Sequence, residues 1–236
     1  MKKIIYVTGN WAKLESAKQA LEPLGFEIEN IEVFKGMLER IEKVGRTCYK
    51  SENNITTESA PKFVEMIIKR GHEAMIEHGG MISVRFICDR GVSHELVRHR
   101  IASFAQESTR YCGYQKDKFG NELTCISIES MMNERIETIG CERIVDILSE
   151  HAQAMIDAEK HYMRMIELGC TPQEARSVLP NSLKTEIVVS ANPREWRAFF
   201  KLRVADAAHP QMREVTRPLL DKFKELVPVL FDDITY

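Results

Sequence analysis

From Cys141 to Leu168, apolar side chains return at helical spacing through Ile144, Val145, Leu148, Ala152, Met155, Ile156, Met163 and Ile166, and Gly169 supplies the stop. This is the strongest periodicity in the chain, and it marks a scaffold helix. Two other stretches alternate with period two. Met81 to Asp89 places Ile82, Val84, Phe86 and Cys88 on one face and Ser83, Arg85 and Asp89 on the other, and Leu183, Thr185, Ile187, Val189 and Ala191 repeat the pattern. The reading is an α/β (α+β) chain, a mixed sheet flanked by helices. With 236 residues, 44% of them hydrophobic, it can bury a substantial core and is read as a single domain over residues 1–236.

Punctuation fills in the remaining elements. Lys3 to Thr8 reads as a strand and Gly9-Asn10 as a turn, with a helix from Trp11 to Leu21 that Pro23 and Gly25 end. Phe26 and Ile28, then Ile31 and Val33, suggest a second strand whose alternation breaks at Glu29-Asn30, so residues 1–30 form an atypical strand-helix opening. Met37, Leu38, Ile41 and Val44 share one face of a short helix that stops at Gly45. A second helix, capped by Thr57 or Ser59, buries Phe63, Val64, Ile67 and Ile68. Arg90-Gly91 turns the strand at 81–89 into a helix that begins near Ser93 and carries Arg98. Leu123 to Ile128 reads as a short strand. Thr171-Pro172-Gln173-Glu174 is a capping box, and Asn192-Pro193-Arg194-Glu195 repeats the cap pattern. On the helix that follows, Trp196, Phe199, Phe200 and Arg203 form one stripe that ends in a guanidinium. A salt bridge to Asp206 or Glu214 and a ligand contact both remain open for Arg203. Val215, Leu219, Phe223 and Leu226 define a final helix from His209-Pro210 to Val227.

Charge and cysteine usage narrow the function. A formal charge of -2 gives no basic footprint for long nucleic acid. The six cysteines contain no CxxC pair and no zinc spacing, so they read as reduced thiols. His72, Glu73, Glu77 and His78 lie close together in GHEAMIEHGG but lack a third ligand at a recognisable distance, and no metal is expected. No apolar run is long enough to span a membrane and the start lacks a signal-peptide core, so a soluble cytoplasmic protein is expected.

The chemistry concentrates between Arg98 and Arg110, RHRIASFAQESTR. Arginine forks suit phosphate and carboxylate, and the hydroxyls of Ser103, Ser108 and Thr109 complete such a shell. A solvated basic helix face is the competing reading. On an ideal helix Arg98 and Arg100 would diverge by about 200°. Either the helix ends here, or the two arginines serve different ligands or different subunits. No GxSxG elbow surrounds Ser103 or Ser108, so neither reads as an activated nucleophile.

Arg98-His99-Arg100, Ser103, Ser108 and Arg110 match the RHRxxSxxxxSxR signature, and the chain resembles the flavin-dependent thymidylate synthases from about residue 32 onward. Supporting segments are GHEAMIEH at 71–78, EARSVLP at 174–180 and ANPREWRAFFKLR at 191–203. The resemblance implies a homotetramer with active sites at subunit interfaces. It implies FAD contacts from His72, Arg98, His99, Arg100, Gln106, Asn192 and Arg194. Ala74 and Ala198 stand at flavin-side positions where family members often carry a polar side chain. It assigns dUMP to Glu95, Arg98, Gln106, Ser108, Thr109, Arg110, Arg176 and Arg203, with Arg176 coming from another subunit. The implied reaction turns dUMP into dTMP with methylenetetrahydrofolate as one-carbon donor and FADH2, regenerated by NADPH, as hydride donor. Arg203 matches the family arginine that meets the uracil edge and favours ionisation at N3, so it is the expected catalytic residue, and no cysteine nucleophile is needed. A permanent cation suits that task because it stabilises developing negative charge without a proton transfer of its own.

Residues 1–30, with Thr8-Gly9-Asn10, Lys13 and Glu15, resemble instead the start of the inosine/xanthosine triphosphate pyrophosphatases. A pyrophosphatase of non-standard nucleoside triphosphates is therefore one alternative function, and a non-catalytic nucleotide-binding protein is another.

Overall fold

The computed structural model describes residues 21–22, 25–29, 31–116 and 120–236, so the strand and most of the helix expected before Leu21 lie outside the described residues. Leu21 itself is not helical. It opens β1 (Leu21–Glu22), which is followed by β2 (Gly25–Ile28), a 3-10 helix at Ile31–Phe34, and helices α1 (Met37–Tyr49) and α2 (Ser59–Lys69). A 3-10 helix at Glu73–Gly79 leads to β3 (Ile82–Asp89), α3 (Arg90–Leu96), β4 (Ser103–Gln106) and β5 (Cys125–Ile126). Then come α4 (Glu129–Asn133), α5 (Ile136–Ile139), the long α6 (Cys141–Glu167), α7 (Pro172–Ala175), β6 (Lys184–Ala191), α8 (Pro193–Arg203), α9 (Pro210–Leu226) and α10 (Pro228–Phe231). The result is a mixed α/β architecture. A small antiparallel sheet runs in the order β2-β3-β6-β4, and among the described residues parallel pairing is confined to a separate ladder in which Leu21 and Glu22 face Cys125 and Ile126.

The chain divides into two compact units. One takes Ile87–Glu95, Gln106–Ile187 and the described residues up to Gly25; the other takes Phe26–Phe86, Leu96–Ala105 and Val188–Tyr236. In the first, Tyr114, Leu123, Tyr162, Ala175 and Leu183 form a buried cluster, with Met163, Ile166 and Leu179 packed against it. Tyr162 and Ala175 reach it from α6 and α7, and the capping box that starts α7 is formed by Thr171 and Glu174. In the second unit an aromatic core joins α8 to the last two helices. Phe200 and Phe223 stand edge to face at 5.1 Å, as do Phe223 and Phe231. The Trp196 indole N–H donates to the Ile82 carbonyl at 3.1 Å, which ties α8 to β3. Alternation along the two main strands is as expected, with Ile82, Val84, Phe86 and Cys88 buried in β3 and Thr185, Ile187, Val189 and Ala191 buried in β6.

Several boundaries depart from the sequence reading for local reasons. Ile31 to Phe34 coils into a 3-10 helix because Arg40 captures the chain there, its Nη2 donating to the carbonyls of Val33 at 2.6 Å and Gly79 at 2.8 Å. Neither Thr57 nor Ser59 caps α2. The Ser59 hydroxyl is spent on Glu42, donating at 2.8 Å, because that carboxylate is buried and also draws Arg46 at 2.9 Å. Asp89 was expected on the exposed face of its strand but is buried, accepting from the Val92 N–H at 2.6 Å and so starting α3.

Gly45 does not stop α1, which runs on to Tyr49. A glycine inside a helix costs about 1 kcal/mol relative to alanine, and here the missing Cβ leaves room for the Phe63 ring. A Cβ at this position would lie 2.5 Å from Phe63 Cε1. Gly45→Ala is therefore expected to lower stability by about 1–3 kcal/mol through overpacking, despite the better helix propensity of alanine. Urea unfolding of the two proteins checks this.

Candidate functional site

In the second unit the site is organised on α8. Asn192 starts the helix as expected, its side-chain oxygen accepting from the Glu195 N–H at 2.9 Å. Trp196, Phe199 and Phe200 are buried, and Arg203 lies half-buried in the last turn. His99 packs on this helix with its ring edge to face against Phe199, centroids 4.9 Å apart. Its Nδ1 is 3.3 Å from Glu195 Oε1, and its Nε2 accepts from Arg203 Nε at 3.1 Å. Burial and the neighbouring Arg203 push the imidazole below the usual histidine range, against the opposing pull of Glu195. Asp206, one of the partners considered for Arg203, is instead engaged by Arg217 at 2.6 Å.

Helix α3 ends at Leu96, so Arg98 and Arg100 are not on a helix and the divergence computed for one does not arise. In the turn that follows, Arg98 and Arg100 are exposed while His99 between them points inward. Neither of these arginine side chains makes a hydrogen bond or ion pair with another described residue. Arg194 is exposed and reaches Glu77 at 2.6 Å, and Ala198 is exposed on the same helix. His72 and Ala74 flank the start of the 3-10 helix at 73–79, both exposed. The His72 Nδ1 is hydrogen-bonded to the Tyr49 hydroxyl, and the two rings stack at 6.2 Å. The second unit thus brings together His99, Glu195, Phe199 and Arg203.

The first unit holds Glu95, Gln106, Ser108, Thr109, Arg110 and Arg176. The Gln106 amide donates to Ser93 Oγ at 2.9 Å and Thr185 Oγ1 at 3.2 Å, which holds its side chain against β6. Ser108 forms a turn, its carbonyl accepting from the Cys112 N–H at 2.9 Å and its hydroxyl accepting from the Arg110 N–H at 3.3 Å. Thr109 is buried in that turn. Arg110 is exposed over the Tyr111 ring, 5.4 Å from its centroid. Glu95 is half-buried in the last turn of α3. Arg176 is exposed in a 3-10 turn after α7, and its own side chain has no partner among the described residues. Burial pushes the neighbouring Glu107 carboxyl up, with Lys184 opposing.

Sequence reasoning treated Glu195 only as part of a capping pattern and did not single out Arg197. Arg197 is almost fully buried; it donates to the Leu230 carbonyl, binds Asp233 through two hydrogen bonds of 2.6 and 2.7 Å, and reaches Glu73 at 3.2 Å. The signal available was its position inside an aromatic run, where an arginine needs a partner. All six cysteines are free, and no group of three or more His, Cys, Asp or Glu among the described residues is arranged to hold a metal ion. No helix among the described residues is long and apolar enough to cross a membrane. Thr8, Asn10 and Lys13 lie outside the described residues.

Guanidinium forks without a partner among the described residues, carried on an α/β scaffold, are donors of the kind that suits phosphate and carboxylate groups. The chain belongs to the thymidylate synthase complementing protein family, whose model matches residues 31–229. It is 30% identical over 194 residues to the flavin-dependent thymidylate synthase of Geobacter sulfurreducens, covering 80% of this chain and 78% of the relative. The protein of the same name from Corynebacterium aurimucosum is 32% identical over 204 residues, covering 82% and 78%. That from Pyrococcus horikoshii is 35% identical over 167 residues, covering 70% and 64%.

Proposed function

We propose that the protein is a flavin-dependent thymidylate synthase, converting dUMP to dTMP with methylenetetrahydrofolate, FAD and NADPH. The observation that carries the reading is Arg203, a permanent cation half-buried at the end of an apolar stripe and held there by the histidine of the RHR signature. Low surrounding polarity strengthens its field on a developing anion. Its role is to meet the uracil edge and favour ionisation at N3.

The donor set fits the cofactor. Arg98 and Arg100 present two forks with no partner among the described residues, a complement to the diphosphate of FAD, and Asn192 and Arg194 stand at the start of α8 with amide and guanidinium donors. His72, stacked on Tyr49, and the small side chains of Ala74 and Ala198 suit the ring system. Once reduced by NADPH, flavin held by these residues would supply the hydride that turns the transferred one-carbon unit into a methyl group. For dUMP, Ser108, Arg110 and Arg176 offer hydroxyl and guanidinium donors to the phosphate, and Glu95, Gln106, Thr109 and Arg98 complete the set.

We read the active molecule as a cytoplasmic homotetramer in which Arg176 serves a neighbouring subunit's nucleotide. Support comes from the family resemblance, with α6 leaving Val145, Ile147 and Ile156 each 37% to 39% exposed. Purified protein incubated with FAD and then freed of unbound cofactor is expected to be yellow, to oxidise NADPH in a dUMP-dependent manner, and to form dTMP when methylenetetrahydrofolate is added. Protein that stays colourless and forms no dTMP would remove the proposal.

A further inference from the structure

Family resemblance assigns His99 to the flavin, yet the ring has no free nitrogen to offer one. Arg203 is always protonated and can only donate, so the Nε2 it approaches at 3.1 Å must carry the lone pair. The imidazole proton is then on Nδ1, where it points to the Glu195 carboxylate at 3.3 Å. This assignment is self-consistent, and the reverse tautomer would set an N–H against the guanidinium. The downward push on the ring's proton affinity from burial and Arg203 agrees with a neutral imidazole.

The three contacts come from one helix face. Glu195, Phe199 and Arg203 are four residues apart, and each step of four turns an α-helix by only about 40°. His99 therefore lies along α8, its flank against the Phe199 ring and a nitrogen toward each end. The Glu195 backbone is anchored in the first turn, its N–H donating to the Asn192 side chain. The chain of contacts runs from the cap of α8, through Glu195 and the imidazole, to the guanidinium in its last turn.

We propose that His99 is a positioning residue for Arg203, keyed by Glu195, and that it does not bind a ligand through either ring nitrogen. This rests on the role given to Arg203 above. It divides the RHR signature by function: Arg98 and Arg100 face outward to ligand, and His99 faces inward to hold the cation that meets the substrate base.

The test combines ring-nitrogen NMR of isotope-labelled histidine in the whole chain with steady-state turnover and flavin content. The His99 resonances are expected to report a neutral ring protonated at Nδ1, and Arg203→Leu should shift the Nε2 signal. His99→Leu is expected to lower kcat/KM for dUMP by about 100-fold, the scale of a misplaced catalytic group, with flavin content unchanged. His99→Gln, whose amide oxygen can accept from Arg203, should recover about 10-fold of that loss. Losses in the His99→Leu/Arg203→Leu double variant should fall well short of additive, because the two act as one unit. Loss of flavin from His99→Leu with an unchanged KM for dUMP, or full additivity in the double variant, would overturn the positioning role. Absence of dTMP formation by the unsubstituted protein would instead overturn the thymidylate synthase reading, and the ring resonances would separately show whether the Glu195, His99 and Arg203 contact exists.

Discussion

Arg203→Leu is expected to reduce dTMP formation by about 10²- to 10³-fold, the usual cost of removing one preorganised group that stabilises developing charge. The change should appear in kcat as well as KM, because charge on the uracil grows toward the transition state and a cation aimed at it is worth more there than in the ground state. The substitution leaves the Nε2 of His99 without its donor, which costs about 1–3 kcal/mol at a buried acceptor and less at a half-buried one. Arg203→Lys should not restore activity, since an ammonium cannot keep the Nε contact to His99 and also present a planar fork to the base. Parallel kinetics and thermal unfolding of the variants check this, and loss of activity in step with loss of fold would defeat it.

The second large effect concerns stability. Arg197→Met is expected to destabilise the protein by about 3 kcal/mol, because it removes the partner of two carboxylates and a carbonyl from a buried position. The figure stays at the lower end of the range for broken buried pairs because Asp233 and Glu73 keep 47% and 26% of their side-chain surface in water. Lysine should rescue little, lacking the fork that grips both oxygens of Asp233. Hydrogen bonds from Arg197 hold the Asp233 carboxyl below its ordinary range. The stability it contributes is therefore complete above the usual aspartate value and is lost as pH falls through the lowered one. Urea unfolding at neutral and acid pH should show the gap between native protein and variant narrowing in acid.

The legible parts of the fold were those with a one-dimensional signature. The alternation of Ile82 to Cys88 and Thr185 to Ala191, the length of α6, the capping box at Thr171 and the cap at Asn192 follow from local rules, and each stands where the residues put it. What failed depended on a contact that the periodicity of the element does not report. Gly45 looks like a stop until Phe63 is packed against it, and Ser59 looks like a cap until Glu42 claims its hydroxyl. Asp89 belongs to the outer face by period and to the core by its bond to Val92. The candidate site behaves the same way. Motif spacing singles out Arg98 to Arg110, and the apolar stripe with the family resemblance singles out Arg203, but contact between His99 and Arg203 spans 104 residues, and no local pattern reports it.

The clamp around Arg197 also bears on the order in which the chain takes shape during synthesis. Its anchor, Asp233, is translated 36 residues after the arginine it holds, and the Leu230 carbonyl 33 residues after. Until those residues leave the ribosome, the cation in the middle of α8 has, among the described residues, Glu73 alone to meet it, and burying it there remains unfavourable. The aromatic face of α8 must wait in the same way for Phe223 and Phe231. The helix that carries Arg203 is thus among the last parts of the second unit to settle, and a nascent chain released before residue 233 would carry the RHR signature without the means to set its cation in place.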